Sequence, residues 1–160
     1  MPRHSESREL PYTDRQMYDL VADVSSYPQF LPWTAAARIQ SREDRGDHEV
    51  MLAELVISFK VFRERFASRV ILWPDQTRIE TEYLDGPFRH LQSEWNFEAL
   101  EGGRCRVDFW VDFEFRNAIL GRVIGVVFNE AMQRVVAAFE RRARVLYGPG
   151  GTASASSRSA

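Results

Sequence analysis

The sequence predicts an α+β fold in which a curved antiparallel sheet of about seven strands grips one long C-terminal helix, with two short helices after the first strand. Three observations predict it. From Val107 to Phe115 every odd position is apolar and most even ones are charged, the period-2 pattern of a strand with one face inside. From Asn117 to Tyr147 there is no proline, and Leu120, Ile124, Val127, Phe128, Ala131, Val135, Phe139 and Leu146 fall on one helical stripe. Between these segments and the N-terminal region, turn signatures recur at Asp44-Arg45-Gly46-Asp47, Trp73-Pro74-Asp75, Asp85-Gly86-Pro87 and Glu101-Gly102-Gly103. The helix spans roughly 45 Å at 1.5 Å per residue, enough to cross a whole sheet. A sheet covered by one such helix makes a cup, and an aromatic inner face suits an apolar ligand.

The first ten residues read as a short, polar edge strand. Thr13 is a good N-cap, and Met17, Leu20, Val21 and Val24 recur at helical spacing, so a helix is predicted from about Asp14 to Asp23. Ser25 or Ser26 then caps a second short helix ending near Leu31, because Pro32 disfavours helical geometry in the residue before it. Six strands of about 8 to 12 residues follow, antiparallel by their short connections. Parity puts Met51, Ala53, Leu55, Ile57 and Phe59 on the inner face, followed by Phe62, Phe66, Val70 and Leu72. The same face takes Ile79, Thr81 and Tyr83, then Leu91, Ser93, Trp95 and Phe97, and closes with Val107 to Phe115. No repeat or boundary interrupts this order, so residues 1–147 are expected to form a single domain. Residues 148–160, rich in Gly, Ser and Ala, read as a disordered tail.

With 160 residues, 44% hydrophobic and 12% aromatic, the chain has the makings of one domain with a real core. A net charge of −2 gives no global attraction to nucleic acid or anionic lipid, and no DNA partner is expected. Lys60 is the only lysine among 21 basic residues, a bias that suits bidentate phosphate recognition and that a GC-rich coding genome equally produces. Cys105 is the only cysteine, which excludes an intrachain disulfide or a cysteine-based metal site and fits a reducing cytoplasm. Neither a secretory h-region nor an 18-residue apolar run is present, so a soluble protein with at most peripheral membrane contact is expected.

Chemistry-bearing constellations are sparse. Glu64 lies between Phe62 and Phe66 on the apolar parity, and Arg142 falls on the stripe of the last helix; paired, they would orient a polar ligand head. His4, His48 and His90 are scattered, and metal-ligand spacings, phosphate loops and nucleophile elbows are missing. Arg63, Arg65 and Arg69 point outward on one strand, as a phosphate-contacting face or as partners of Glu80 and Glu82 on the next. Tyr27, Phe30, Leu31 and Trp33 sit in a Pro-bounded loop, and Ile119, Val123 and Val126 lie opposite the core stripe of the last helix. These two segments are either close-packed or dimer contacts, or an apolar rim of the cup that touches a membrane.

Several blocks carry a family resemblance. Leu10-Pro-Tyr-Thr, Gln16-Met-Tyr, Asp23-Val24 and Ser26-Tyr-Pro-Gln-Phe-Leu-Pro-Trp33 resemble the start of the coenzyme Q-binding proteins of the START superfamily. Phe62-Arg-Glu-Arg-Phe-Ala-Ser-Arg-Val70, Asp85-Gly-Pro-Phe88, Asp112-Phe-Glu-Phe115 and Ala138-Phe-Glu-Arg-Arg-Ala143 continue the likeness, which covers roughly residues 3 to 147. The resemblance implies a helix-grip fold with a lipid-sized tunnel. It also implies a non-enzymatic protein that holds ubiquinone or a related prenyl lipid as bound ligand, needs no catalytic cofactor and supports respiration at the inner membrane. The same blocks mark ribosome-association toxins, and wider relatives include polyketide cyclases and aromatases. On this reading Leu55, Ile57, Phe66, Trp95, Phe97, Phe109, Phe113, Ile124, Phe128 and Val135 line the tunnel, with the quinone head near Trp33 and Tyr83.

Overall fold

The structure, a computed structural model, describes residues 3–59 and 62–149. The expected inward side chains of Phe59, Phe62 and Val127, and the tail from residue 150 on, lie outside what it describes. Seven strands occur: β1 (Arg3–Leu10), β2 (Thr34–Asp44), β3 (Glu49–Phe59), β4 (Phe62–Trp73), β5 (Arg78–Asp85), β6 (Phe88–Leu100) and β7 (Arg104–Phe115). Between β1 and β2 come α1 (Asp14–Ala22) and a 3-10 turn, Val24–Gln29; α2 (Ala118–Tyr147) closes the chain. One antiparallel sheet runs in the order β1-β7-β6-β5-β4-β3-β2, so the first strand seals the flank of the last and the α1 segment bridges the two sheet edges. Register slips at Thr34/Ala36, Ile39/Ser41, Ala67/Ser68 and Phe88/His90 mark bulges, which bend strands and increase their twist.

Local chemistry accounts for the helices. Thr13 accepts from the Gln16 backbone N–H while the Gln16 side chain accepts from the Thr13 N–H, a reciprocal capping box that starts α1. The expected second short helix is present as a 3-10 helix, Val24–Gln29, that follows Asp23 without the serine cap. Ser25 and Ser26 both donate to the Asp23 carboxylate, which leaves no serine to cap, and Pro28 lies within the segment. Asn117 caps α2 by accepting from the backbone N–H of Ile119 and Leu120 at 2.9 and 3.1 Å.

The core fills the space between the concave sheet face and the two helices, with Met51, Val70, Ile79, Val107 and Phe139 all buried. Along α2 the buried side turns toward α1: Val136, Ala143 and the Tyr147 ring take the place expected for Leu146, which is 49% exposed. Tyr147 donates to the Gln16 carbonyl, and Tyr12 donates to the Gly148 carbonyl at 2.7 Å, so Gly148 is tied to the domain and not part of a loose tail. His4 and Arg8 of β1 reach Asn129 and Glu140 of α2, fixing the middle of the helix to the sheet edge. On the convex face Arg69 pairs with Glu82 and Arg106 with Glu98, while Arg42 pairs with Glu49 at the strand ends on the side of Met51 and Leu72. Among the described residues, no helix is long and apolar enough to cross a membrane.

Candidate functional site

A cavity of about 300 Å³ opens between the concave sheet face and α2, at the lower end of the range for small-molecule pockets. Alternating residues of β3, β4, β6 and β7 supply its floor through Leu55, Ile57, Phe66, Trp95, Phe109 and Phe113, because a strand presents every second side chain to one face. From α2 come Ile124, Phe128 and Val135, one turn or two apart on the inner stripe. Trp33 closes the wall beyond the 3-10 turn. Its backbone sits at φ 63°, a left-handed conformation that costs a bulky residue of the order of 1–2 kcal/mol. Such strain at a cavity wall marks a side chain whose position the surrounding fold enforces.

The walls are built from interlocked rings. Trp95 lies 4.3 Å from Phe109 and 5.1 Å from Phe139, centroid to centroid. Phe88 makes edge contacts with Phe66, Tyr83 and Phe113, and Phe113 meets Phe128 at 4.8 Å. Edge-to-face pairs of this kind hold ring positions more firmly than aliphatic packing does. None of the described residues lining the cavity is Asp, Glu, His, Lys, Arg or Cys. Among the described residues Tyr27 is the only phenol in the lining; its hydroxyl donates to the Val21 carbonyl, and burial pushes its ionisation far above the usual range.

Several expected site residues lie elsewhere. Tyr83 is not in the lining: its hydroxyl accepts from the Phe88 N–H at 3.1 Å, so it braces the β5–β6 turn and does not wait for a ligand. Phe97 is buried one layer away, edge-on to Tyr18 and stacked on Trp95. Glu64 keeps the expected parity opposite Ile57, but it is exposed and lines only a satellite cavity of about 60 Å³ beside Leu120. Arg142 does not pair with it. Its guanidinium donates to Gln29 at 2.7 Å and lies over the Phe30 ring, which holds the 3-10 turn against α2.

The two candidate rim segments separate. Tyr27 and Leu31 line the cavity, while Phe30 packs edge-on against Phe139 and belongs to the helix contact. Ile119, Val123 and Val126 are 68%, 41% and 83% exposed on the outer face of α2. Arg69 takes Glu82, Arg65 lies 4.0 Å from Glu54, and Glu80 instead accepts from the Trp73 indole. Cavity-wall residues absent from the sequence reading of the site include Phe88, Phe139, Met132 and the hydroxyls of Ser68, Thr81 and Ser93. Thr81 and Ser93 were readable from parity, whereas Phe88 is put out of phase by the bulge before His90.

Seven antiparallel strands closed by one long helix over an apolar cavity define the helix-grip class, and this arrangement supports a ligand-binding role. A family model described as polyketide cyclase / dehydrase and lipid transport matches residues 10–140, and the chain belongs to that START-like family. "Ribosome association toxin RatA" of Rickettsia prowazekii is 39% identical over 138 residues, 84% of this chain and 91% of that one. "Coenzyme Q-binding protein COQ10 homolog B, mitochondrial" of Xenopus laevis is 36% identical over 149 residues, 91% of this chain and 59% of that protein. Among solved structures, that of an 18 kDa protein from Caulobacter crescentus superposes with a TM-score of 0.77 at 36% identity, covering 93% of this chain and all of that one (100%). The Zhui aromatase/cyclase from Streptomyces sp. R1128 has the same TM-score, 0.77, at 18% identity over 94% of this chain and 99% of that one, a likeness of fold alone.

Proposed function

We propose that this protein is a non-catalytic carrier that holds ubiquinone or a related prenyl lipid in its cavity and serves respiratory electron transport. The observation that carries the reading is the lining itself: aromatic, and without Asp, Glu, His, Lys, Arg or Cys among its described residues. A cyclase needs a placed acid and base, and Glu64, the carboxylate expected to point inward, is exposed outside the main cavity. An isoprenoid tail asks only for apolar surface, which gains about 25 cal/mol per Å² on burial. The relative named for coenzyme Q binding supports the same ligand class. Ile119, Val123 and Val126 supply an apolar helix face for peripheral contact with the cytoplasmic side of the inner membrane, where the lipid would be exchanged.

Trp33 and Trp95 both line the cavity, so their fluorescence reports its occupancy. Titration with a short-chain ubiquinone is expected to quench them saturably at one ligand per chain. Phe109→Arg or Val135→Glu should abolish the quench while the far-UV circular dichroism stays unchanged. Folded variants with wild-type affinity would overturn the proposal.

A second reading, ribosome binding through exposed arginines, draws on the relatives named for ribosome association and on the exposure of Arg63 and Arg65. Its signature would be ribosome co-sedimentation that weakens steeply as salt rises. The ion pairs of the convex face weigh against it, since Arg69 is already neutralised and Arg65 faces Glu54.

A further inference from the structure

On the central strands β4, β5 and β6, three hydroxyls interrupt the apolar floor of the cavity. Thr81 of β5 stands directly opposite Ser93 of β6, and Ser68 of β4 lies opposite Tyr83, one inward position along from Thr81. All three line the cavity. In an antiparallel sheet, same-face side chains opposite each other are about 5 Å apart and diagonal ones about 7–8 Å. Ser68, Thr81 and Ser93 therefore form one hydroxyl row across three central strands, flanked on the same face by Phe66, Val70, Ile79, Leu91 and Trp95.

Ser68 is the most buried of the three. Three polar residues are buried among the described residues, His4, Ser68 and Thr77. His4 has its partners in Asn129 and Glu6, and the Thr77 hydroxyl donates to the Phe97 carbonyl at 2.6 Å. Ser68 is 3% exposed, and its hydroxyl makes no hydrogen bond to the described residues. Its oxygen is not one of the fully buried unpartnered side-chain atoms of the described residues, which are Arg78 Nε and Arg142 Nε, so it keeps surface on the cavity, where a ligand oxygen can reach it. Thr81 and Ser93 likewise have no side-chain hydrogen bond among the described residues, although Thr81 and Ser93 sit in the middle of a seven-stranded sheet where alternation calls for apolar side chains.

We infer that the Ser68, Thr81 and Ser93 hydroxyls are the polar recognition element of the cavity, seating the oxygen atoms of an oxygenated ring on the sheet floor. This rests on the carrier reading above and moves the polar end of the ligand from the rim, near Trp33 and Tyr83, to the strands. The chemistry fits a particular class. A quinone ring presents only acceptor oxygens, whereas its reduced form presents O–H donors as well. A serine or threonine hydroxyl rotates to donate to the first and to accept from the second. A row of hydroxyls thus holds both oxidation states without any charged group, and a site built from Arg or Asp would favour one of them.

The test compares two probes on one set of proteins: a decyl-substituted ubiquinone, and a decylbenzene that fills the same space without oxygen atoms. The variants are Ser68→Ala, Thr81→Val, Ser93→Ala and the triple, each removing a hydroxyl at nearly constant volume. Each single change is expected to weaken quinone binding roughly three- to tenfold, the worth of one neutral hydrogen bond, and to leave decylbenzene affinity unaltered. Ser68→Ala should also match or exceed the wild-type melting temperature, which separates a ligand-serving hydroxyl from a structural one. Equal changes for the two probes, or none for either in a folded triple variant, would overturn the inference while leaving the carrier reading intact. Failure of the wild type to bind either probe would overturn both.

Discussion

Gly86 shows how one missing side chain protects the cavity wall. Its φ is 144°, and a Cβ there would lie 2.5 Å from the Phe66 Cβ and 2.9 Å from the Arg65 carbonyl oxygen. Phe66 lines the cavity, so a substitution would displace a wall ring as well as strain the turn. Gly86→Ala is expected to cost about 2–3 kcal/mol in urea denaturation, and an unchanged midpoint would contradict the packing described. Cys105 offers a pH-dependent counterpart. It is fully buried between Leu10 and Ala99 on the neighbouring strands, and burial pushes its thiol from 9.0 up to about 11. The folded chain therefore keeps this proton over a range where the unfolded chain has lost it, so stability falls as pH rises from 9.0 toward 11. Tyr18, raised by burial from 10.0 to about 12, extends the decline upward. Denaturation midpoints measured from pH 8 to 11 should drop in the wild type and drop less in Cys105→Ala. A flat profile would show that the thiol is not shielded as described.

Periodicity was readable where one face of an element is uniformly buried, and it failed where that face turns or slips. The alternation from Val107 to Phe113 describes β7 correctly because all its inner residues meet the same core. The stripe on α2 holds through Phe139 and then misassigns Leu146, since the helix end rotates its buried side onto α1 through Tyr147 and Ala143. Ser25 and Ser26 carry the composition of a cap, but the Asp23 carboxylate engages both hydroxyls first. For the site, strand parity reaches Leu55, Ile57, Phe109 and Phe113, whose faces are fixed by an uninterrupted ladder. Parity cannot tell a wall residue from one packed a layer behind it, which is why Phe97 and Tyr83 were grouped with the lining. Glu64 and Arg142 share a similar ambiguity: both fall on inner stripes, but one is exposed at a satellite cavity and the other turns its head to Gln29 and Phe30.

Across the molecule, charge and apolar surface are segregated. Arginine–carboxylate pairs such as Arg69–Glu82 and Arg106–Glu98 lie on the convex side of the sheet, aromatic rings fill the concave side, and the exposed apolar residues of α2 cluster at Ile119, Val123 and Val126 and again at Val145 and Leu146. His4 and Arg8 tie the sheet edge to α2, and Tyr12, just after β1, ties down Gly148, just after α2. On the carrier reading an apolar cavity of this kind should leave the cell occupied. The most direct measurement is mass spectrometry of organic extracts from protein purified without detergent out of a quinone-producing host, beside a folded Phe109→Arg control. A prenyl quinone or closely related prenyl lipid is expected near one per chain in the wild type and none in the control. A wild-type cavity that is empty, or filled with the same mixed lipids as the control, would contradict it.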